Sequence, residues 1–294
     1  MILMAPSVKV NLGKGDKERE EFLRNAAILD VKTVSGATPS NWTDEEVKEA
    51  RQFIDQHGIR WGEFSGFFGG RFLGSPDRKE HESALQHYRQ QLRHAKILGA
   101  HCVGFGWSKE FFDRPNANIW SEETWQQRIA AVAELAEAAE SIGVDVAGHP
   151  LYFSPLCSIE RYKEMLQTVS SPRLKVLMDI VNLTKPHMVF NTTDLVNEVF
   201  DALGEHIAAI HAKDVKISGA GLGPSPKMEK GLSLIHVDEV PPGEGVMDYA
   251  TLLRRLGGLS QDVTLYVEHF SYEDTIAGQQ YIRYMAREVG VALH

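Results

Sequence analysis

The sequence predicts an α/β fold, a single-domain (β/α)8 barrel, and three observations carry that prediction. The hydrophobic period switches repeatedly between 2 and 3.6 residues along the 294-residue chain. Eight short β-rich runs alternate with eight helical stretches, so the strands are joined only by helix-containing crossovers and must be parallel. No low-complexity linker or domain boundary interrupts this alternation. Length alone, at about 150 residues per domain, suggests two domains, but α/β barrels of this size are routinely one. A doubly wound open sheet satisfies the same alternation; eight units in one chain of this length fit a closed barrel better.

The strands are read at residues 8–12, 31–34, 59–64, 101–105, 144–146, 174–178, 207–212 and 263–267. Between them the helical period runs over 17–29, 43–57, 77–98, 121–142, 158–169, 192–203 and 248–256, and a last helix at 272–288 closes the chain. Thr43-Asp44-Glu45-Glu46 and Ser121-Glu122-Glu123-Thr124 each place a hydroxyl at an N-cap with carboxylates in the first turn. The run from Ala130 to Ala139 is rich in the strongest helix formers. Gly58, Gly99 and Gly143 each follow a helix and precede a strand, as left-handed C-caps do. The longest irregular stretch, 215–245, is rich in Gly and Pro and follows the seventh strand, on the face where barrel active sites lie.

Composition narrows the function. With 31 Lys+Arg against 40 Asp+Glu, the formal charge is −9. That balance argues against nucleic acid or an anionic membrane as partner, since both call for a basic face. No run reaches the ~18 apolar residues of a membrane span. Met1-Ile2-Leu3-Met4, followed by Ala5-Pro6, is too short for a secretory apolar core. Two cysteines, Cys102 and Cys157, make no disulfide framework. The expectation is a soluble, cytoplasmic protein.

In a barrel, residues at the C-terminal ends of the strands point into the site. Strand five runs into His149, strand six into Asp179, strand seven into His211 and strand eight into Glu268. Four consecutive strands thus end in groups that ligate metals. Parity agrees: turning Asp179 and Glu268 inward turns Val176, Met178, Val263, Leu265 and Val267 outward, and all are apolar. The same parity turns Asp145 and Lys175 inward, where they are expected to face each other low in the barrel, because a lone buried charge is costly. Two imidazoles and two carboxylates suit Mn²⁺, Fe²⁺, Co²⁺ or Zn²⁺ better than Ca²⁺.

These residues carry a resemblance. Met178-Asp179-Ile180-Val181-Asn182, His211-Ala212-Lys213-Asp214, Pro242-Gly243-Glu244-Gly245 and Val267-Glu268-His269 resemble the xylose isomerase-like TIM barrels, the sugar phosphate isomerase/epimerase superfamily. The resemblance covers nearly the whole chain and is closest from Gly143 onward. It implies one divalent ion, Mn²⁺ first, held by residues from strands five to eight. It also implies proton exchange by two glutamates beside a ketone, through a metal-bound enediolate. Carried over by position, Asp179, His211 and Glu268 match the metal ligands, and Asn182 stands where relatives contact a substrate oxygen. Oligomerisation of the chain is implied by the resemblance alone.

His149 departs from the pattern, standing where the family has its first glutamate. Two carboxylates in place of three balance a divalent ion, which should make the metal a stronger Lewis acid. The departure also breaks the symmetric glutamate pair. As a ligand, His149 would leave Glu268 as the main base; off the metal, it would be a second base with a pKa near neutrality. Further candidates for substrate binding are Lys213, His236, Trp107 and Arg71. Lys213 either polarises a carbonyl or binds a carboxylate, or else pairs with a neighbouring acid. His236 lies at the far end of the long loop. Trp107 could wall a sugar or simply pack, and Arg71, with Glu63, flanks the third strand in a Gly- and Phe-rich stretch. The resulting expectation is a metal-dependent isomerase or epimerase of a small polyhydroxylated carbonyl compound. A lyase working through the same enolate and a non-catalytic binding subunit are the alternatives.

Overall fold

The structure, a computed structural model, describes residues 1–6, 12–65, 73–106, 117–151, 154–221 and 234–294. Its barrel strands are β1 (Ile2–Pro6), β2 (Thr33–Val34), a third strand broken at Gly62 into β3 (Arg60–Trp61) and β4 (Glu63–Ser65), β5 (Cys102–Phe105), β6 (Asp145–Gly148), β7 (Leu174–Met178) and β8 (Ile207–Ala212). A hairpin of β9 (Asp214–Gly221) and β10 (Leu234–Val240) follows, and β11 (Val263–Val267) completes the barrel. Parallel ladders run unbroken from β4 through β5, β6, β7, β8 and β11 to β1, while β2 pairs with β3. β2 packs beside β1, whose free edge takes the end of the chain: Met4 N–H donates to the His294 carbonyl at 3.0 Å and His294 N–H to that of Ile2 at 2.9 Å.

Helices at Asp16–Ile28, Asp44–Gln56, Arg78–Leu98, Glu122–Ile142, Ile159–Val169, Thr192–Leu203, Tyr249–Gly257 and Tyr272–Glu288 each end within one residue of their sequence-read positions. The caps explain this agreement. Thr43 and Glu46 form a reciprocal capping box, and Ser121 accepts from the Thr124 N–H. Gly99 and Gly143 end their helices at φ 74° and 84°, a region costly for any side chain with a Cβ. Among the described residues no helix is long and apolar enough to cross a membrane.

The two faces of the sheet bury different layers. Val103, Phe105, Val146, Val176, Met178, Ile210, Leu265 and Val267 belong to the main core shared with the helices. Cys102, Ala147, Leu177 and Ala209 form a separate cluster inside the barrel. Since side chains on a strand alternate, Ala147, Leu177 and Ala209 lie one step below His149, Asp179 and His211. Small and apolar, they make a dry floor under the strand ends.

Three expectations are corrected. The first strand is Ile2–Pro6, pairing residue for residue with Val263–Val267. The sequence predicts it at 8–12, of which 8–11 lie outside the described residues. All five residues of β1 are buried, so the strand lacks the alternation by which a half-exposed strand is recognised. Second, within the stretch expected to be irregular, 215–245, the described residues 215–221 and 234–240 are strand. β9 and β10 pair antiparallel with a bulge at His236/Val237, and the turn after β10 is tied down by Asp214. The Asp214 carboxylate accepts N–H groups from Val215 and Met247 at 2.8 Å each and from Gly243 at 3.0 Å. Third, Asp145 pairs with Arg173 at 2.9 Å and not with Lys175. The longer guanidinium arm reaches it from the rim, where both side chains keep part of their hydration.

At Gly62 the barrel wall is tightly packed. A Cβ there would lie 2.7 Å from Thr264 Oγ1 and 2.9 Å from Thr33 Cγ2, both on buried residues. Gly62→Ala should therefore cost about 1–3 kcal/mol of stability through overpacking. Urea unfolding followed by circular dichroism checks this, and an unchanged midpoint would mean that the Thr33 and Thr264 side chains can yield.

Candidate metal centre

Each central side chain is delivered by the end of a strand. His149 follows β6, its N–H donating to the Phe105 carbonyl at 2.9 Å. Asp179 follows β7 and divides its carboxylate: Oδ1 caps the short helix Ile180–Leu183, accepting the Asn182 N–H at 3.0 Å, which turns Oδ2 to the barrel axis. His211 lies on β8, its ring centroid 4.8 Å from that of His149 and 5.2 Å from that of Tyr266. Glu268 follows β11.

The four meet. One ligand atom from each of His149, Asp179, His211 and Glu268 lies within 4.8 Å of every other. Between pairs, His149 Nε2 is 3.5 Å and His211 Nδ1 3.9 Å from Asp179 Oδ2, and His211 Nδ1 is 3.1 Å from Glu268 Oε2. Donors bonded to one ion at about 2.1 Å stand at most about 4.2 Å apart, so the residues present fit a divalent ion after side-chain shifts of a few tenths of an ångström. Asp179 Oδ2 and Glu268 Oε2 support that fit. Both are buried, and neither accepts a well-formed hydrogen bond, a costly state for a carboxylate unless a cation attends it.

A cation does attend it. Lys213, fully buried at the end of β8, holds its ammonium 2.9 Å from Asp179 Oδ2, 2.7 Å from Glu268 Oε2 and 3.1 Å from Glu239 Oε2. Burial alone would push the lysine pKa down, but these carboxylates outweigh it and raise it. Burial likewise works against ionisation of Asp179 and Glu268, and is overcome: Lys213 and the two imidazoles hold Asp179 low, while His211 and Lys213 hold Glu268 well below the usual carboxylate range. The imidazoles diverge. Burial pushes His149 down, leaving it neutral at pH 7, whereas for His211 the Glu268 carboxylate outweighs burial and raises the pKa.

The remaining predicted residues fall out variously. Asn182 stands beside the cluster, its amide donating to the Pro150 carbonyl at 3.2 Å and lying 3.5 Å from His149 Nε2. His236 is on β10 opposite Gly219, with its side chain outside the described residues. Trp107 and Arg71 lie outside them altogether. Sequence reasoning missed Glu239 and His269. Glu239 sat in a stretch read as loop; the alternation of Leu234 to Val240 was the available signal. His269 adjoins a predicted ligand, and nothing in the sequence announces its left-handed backbone (φ 72°).

Comparison with known proteins agrees with this architecture. A model of the "Xylose isomerase-like TIM barrel" family matches residues 23–287. Curated proteins gave no match by sequence. Among solved structures, an L-ribulose 3-epimerase is similar at 13% identity and TM-score 0.71, over 99% of this chain and 96% of that one. A D-psicose 3-epimerase with D-tagatose from Clostridium cellulolyticum H10 is similar at 15% identity and TM-score 0.66, over 97% and 99%. A xylose isomerase-like barrel protein from Mycobacterium smegmatis in complex with magnesium is similar at 14% identity and TM-score 0.71, over 98% and 97%. At such identities the likeness establishes the fold.

Another carboxyl is buried in the same barrel. Glu63 on β4 is wholly buried, with Ser65 Oγ donating to its two oxygens at 3.1 and 3.0 Å. Burial pushes its pKa up to about 7, against the opposing pull of His211 and Ser65. A folded-state pKa raised above the unfolded value of 4.5 means that the folded state binds the extra proton between those values. The associated stability is complete below pH 4.5 and is lost as pH rises through 7. In chelator-treated protein, Glu63→Gln should thus gain up to about 3 kcal/mol over the parent between pH 5 and pH 8. Urea unfolding at the two pH values measures the gain; a constant difference would show that Glu63 titrates as an ordinary carboxyl.

Proposed function

The chain belongs to the xylose isomerase-like TIM barrel family, and from that premise we propose a divalent-metal-dependent isomerase or epimerase of a small sugar or sugar acid. It works by moving a proton at the carbon next to a carbonyl. The observation that carries this reading is the convergence of His149, Asp179, His211 and Glu268 from four consecutive strands onto one buried point. The similarity to barrels described as sugar 3-epimerases supports the substrate class. A divalent ion held by these four residues, Mn²⁺ first and Zn²⁺, Co²⁺ or Fe²⁺ next, supplies Lewis acidity that stabilises negative charge developing on a substrate oxygen.

The chain's own groups supply the rest. Glu268, held ionised by His211 and Lys213, is the carboxylate base that takes the proton from carbon. His149, kept neutral by burial, serves as a ligand through Nε2. Asn182, fixed through Pro150, orients a substrate oxygen beside it. The apolar layer of Cys102, Ala147, Leu177 and Ala209 excludes water from below, which strengthens the interactions of the charged groups above it.

A second reading, elimination by a lyase, is favoured by one observation: the cluster holds a single glutamate. Two-base epimerisation wants a matched pair. An enolate formed by one base can instead collapse by expelling a leaving group.

Two measurements test these readings. Elemental analysis should find about one transition metal per chain, lost in His149→Ala; metal retained in that variant would make His149 an acid or base instead of a ligand. Incubation with ketoses in D₂O should place deuterium at the carbon beside the carbonyl, and Glu268→Gln should slow this exchange by at least about 10²-fold, the scale of general-base catalysis. Deuterated starting sugar recovered beside an unsaturated product would select the lyase. A protein without metal and without exchange would overturn both readings and leave a binding subunit.

A further inference from the structure

The ammonium of Lys213 occupies ground that a metal ion would also claim. It lies against Asp179 Oδ2 and Glu268 Oε2, the two carboxylate oxygens of the four-residue cluster. A cation there competes directly with a divalent ion for the same lone pairs. It also changes the charge: with Lys213 included, Asp179 and Glu268 leave one net negative charge, too few for a divalent ion. Glu239 alters both terms. From the C-terminal end of the hairpin strand β10, it brings Oε2 to 3.1 Å from the lysine ammonium. Three carboxylates against one ammonium leave two negative charges, which one divalent ion neutralises.

A second feature holds this arrangement in place. His269, directly after Glu268, adopts φ 72° although it is not glycine, a conformation that costs about 1 kcal/mol or more and persists only where its surroundings impose it. The turn sets Nδ1 3.0 Å from Glu239 Oε1 and Nε2 3.3 Å from Glu268 Oε1. Nδ1 is also 3.2 Å from the Lys213 ammonium. The imidazole thus spaces the two glutamates, and Glu239 is held facing the lysine rather than the cluster.

We propose that Glu239 is a positioning residue for the metal centre: from the hairpin it offers the Lys213 ammonium a third carboxylate, 3.1 Å away, that retains the ammonium when a divalent ion takes the oxygens of Asp179 and Glu268, so that lysine and ion share the pocket instead of excluding each other. This rests on the reading of His149, Asp179, His211 and Glu268 as a metal site. Glu239 is one-third exposed at the rim, so its replacement leaves the core intact.

Calorimetric titration of chelator-stripped protein with Mn²⁺ tests it. The parent chain tests the metal site itself, and the ratio of variant to parent affinities tests Glu239. Glu239→Gln should weaken Mn²⁺ binding about tenfold or more, the range found when a partner of a metal-site group is removed. Glu239→Asp, which keeps the charge, should recover most of the loss. In a Lys213→Met background, Glu239→Gln should change affinity much less, because the cation it acts on is gone. Unchanged affinity in Glu239→Gln overturns the proposal. So does an equal loss in both backgrounds, which would mean that Glu239 acts independently of Lys213. Should Lys213→Met fail to fold by circular dichroism, Glu239→Asp decides: a loss as large as that of Gln would assign Glu239 a purely structural hydrogen-bonding role and sink the idea. A parent that binds no Mn²⁺ removes the metal reading and this inference together.

Discussion

Two carboxylates taken out of water at the mouth of a closed barrel impose a demand that much of the surrounding structure answers. Asp179 is fully buried and Glu268 nearly so. An ionised carboxylate in that setting is tolerable only beside positive charge and good donors. Each neighbour can be understood as part of the answer. The short helix after β7 takes one oxygen of Asp179 at its N-terminus, His211 stands against Glu268, and Lys213 lies against both acids. The same demand makes the cluster a place for a divalent ion, since two oxygens remain without a well-formed hydrogen bond.

The barrel turns this local chemistry into a defined geometry. Parallel register aligns the ends of β6, β7, β8 and β11, and the two-residue alternation sends Ala147, Leu177 and Ala209 to the layer beneath the polar groups. Rigidity arrives from the other side through Asp214. Its oxygens organise the turn that follows the hairpin, and a Cβ at Gly245 would lie 2.3 Å from Asp214 Oδ1, so the chain there must pass as bare backbone. Asp214 adjoins Lys213, and the hairpin returns Glu239 to the same lysine. Residues 211 to 214 thus serve the cluster, its counter-charge and the support of the hairpin in four consecutive positions.

Much of this was legible in the chain. The helices announced themselves through caps and 3.6-residue periodicity, and their observed ends fall within one residue of the expected ones. His149, Asp179, His211 and Glu268 were legible because each closes a recognisable strand, and a shared topological level is a property that sequence can express. β1 was misplaced because a strand buried on both faces has no polar alternation, and its identity rests on pairing with β11 at the far end of the chain. The hairpin was hidden by its glycines and prolines, which signal turns more strongly than the intervening residues signal strands. Arg173 was missed as the partner of Asp145 because side-chain reach, rather than strand parity, selects a partner at a rim.

The sequence by itself determined the eightfold alternation, the parallel sheet and the presence of two imidazoles and two carboxylates at consecutive strand ends. These follow from local periodicity and from the rule that strand ends line a barrel's mouth. Only the tertiary structure decided which charges meet. Lys213 was open between a substrate contact and an ion pair, and it became the shared cation of Asp179, Glu268 and Glu239 because three segments distant in the chain converge on it. Coulomb energy depends on separation in space and on exclusion of water. Neither quantity is written in the order of residues until the barrel closes.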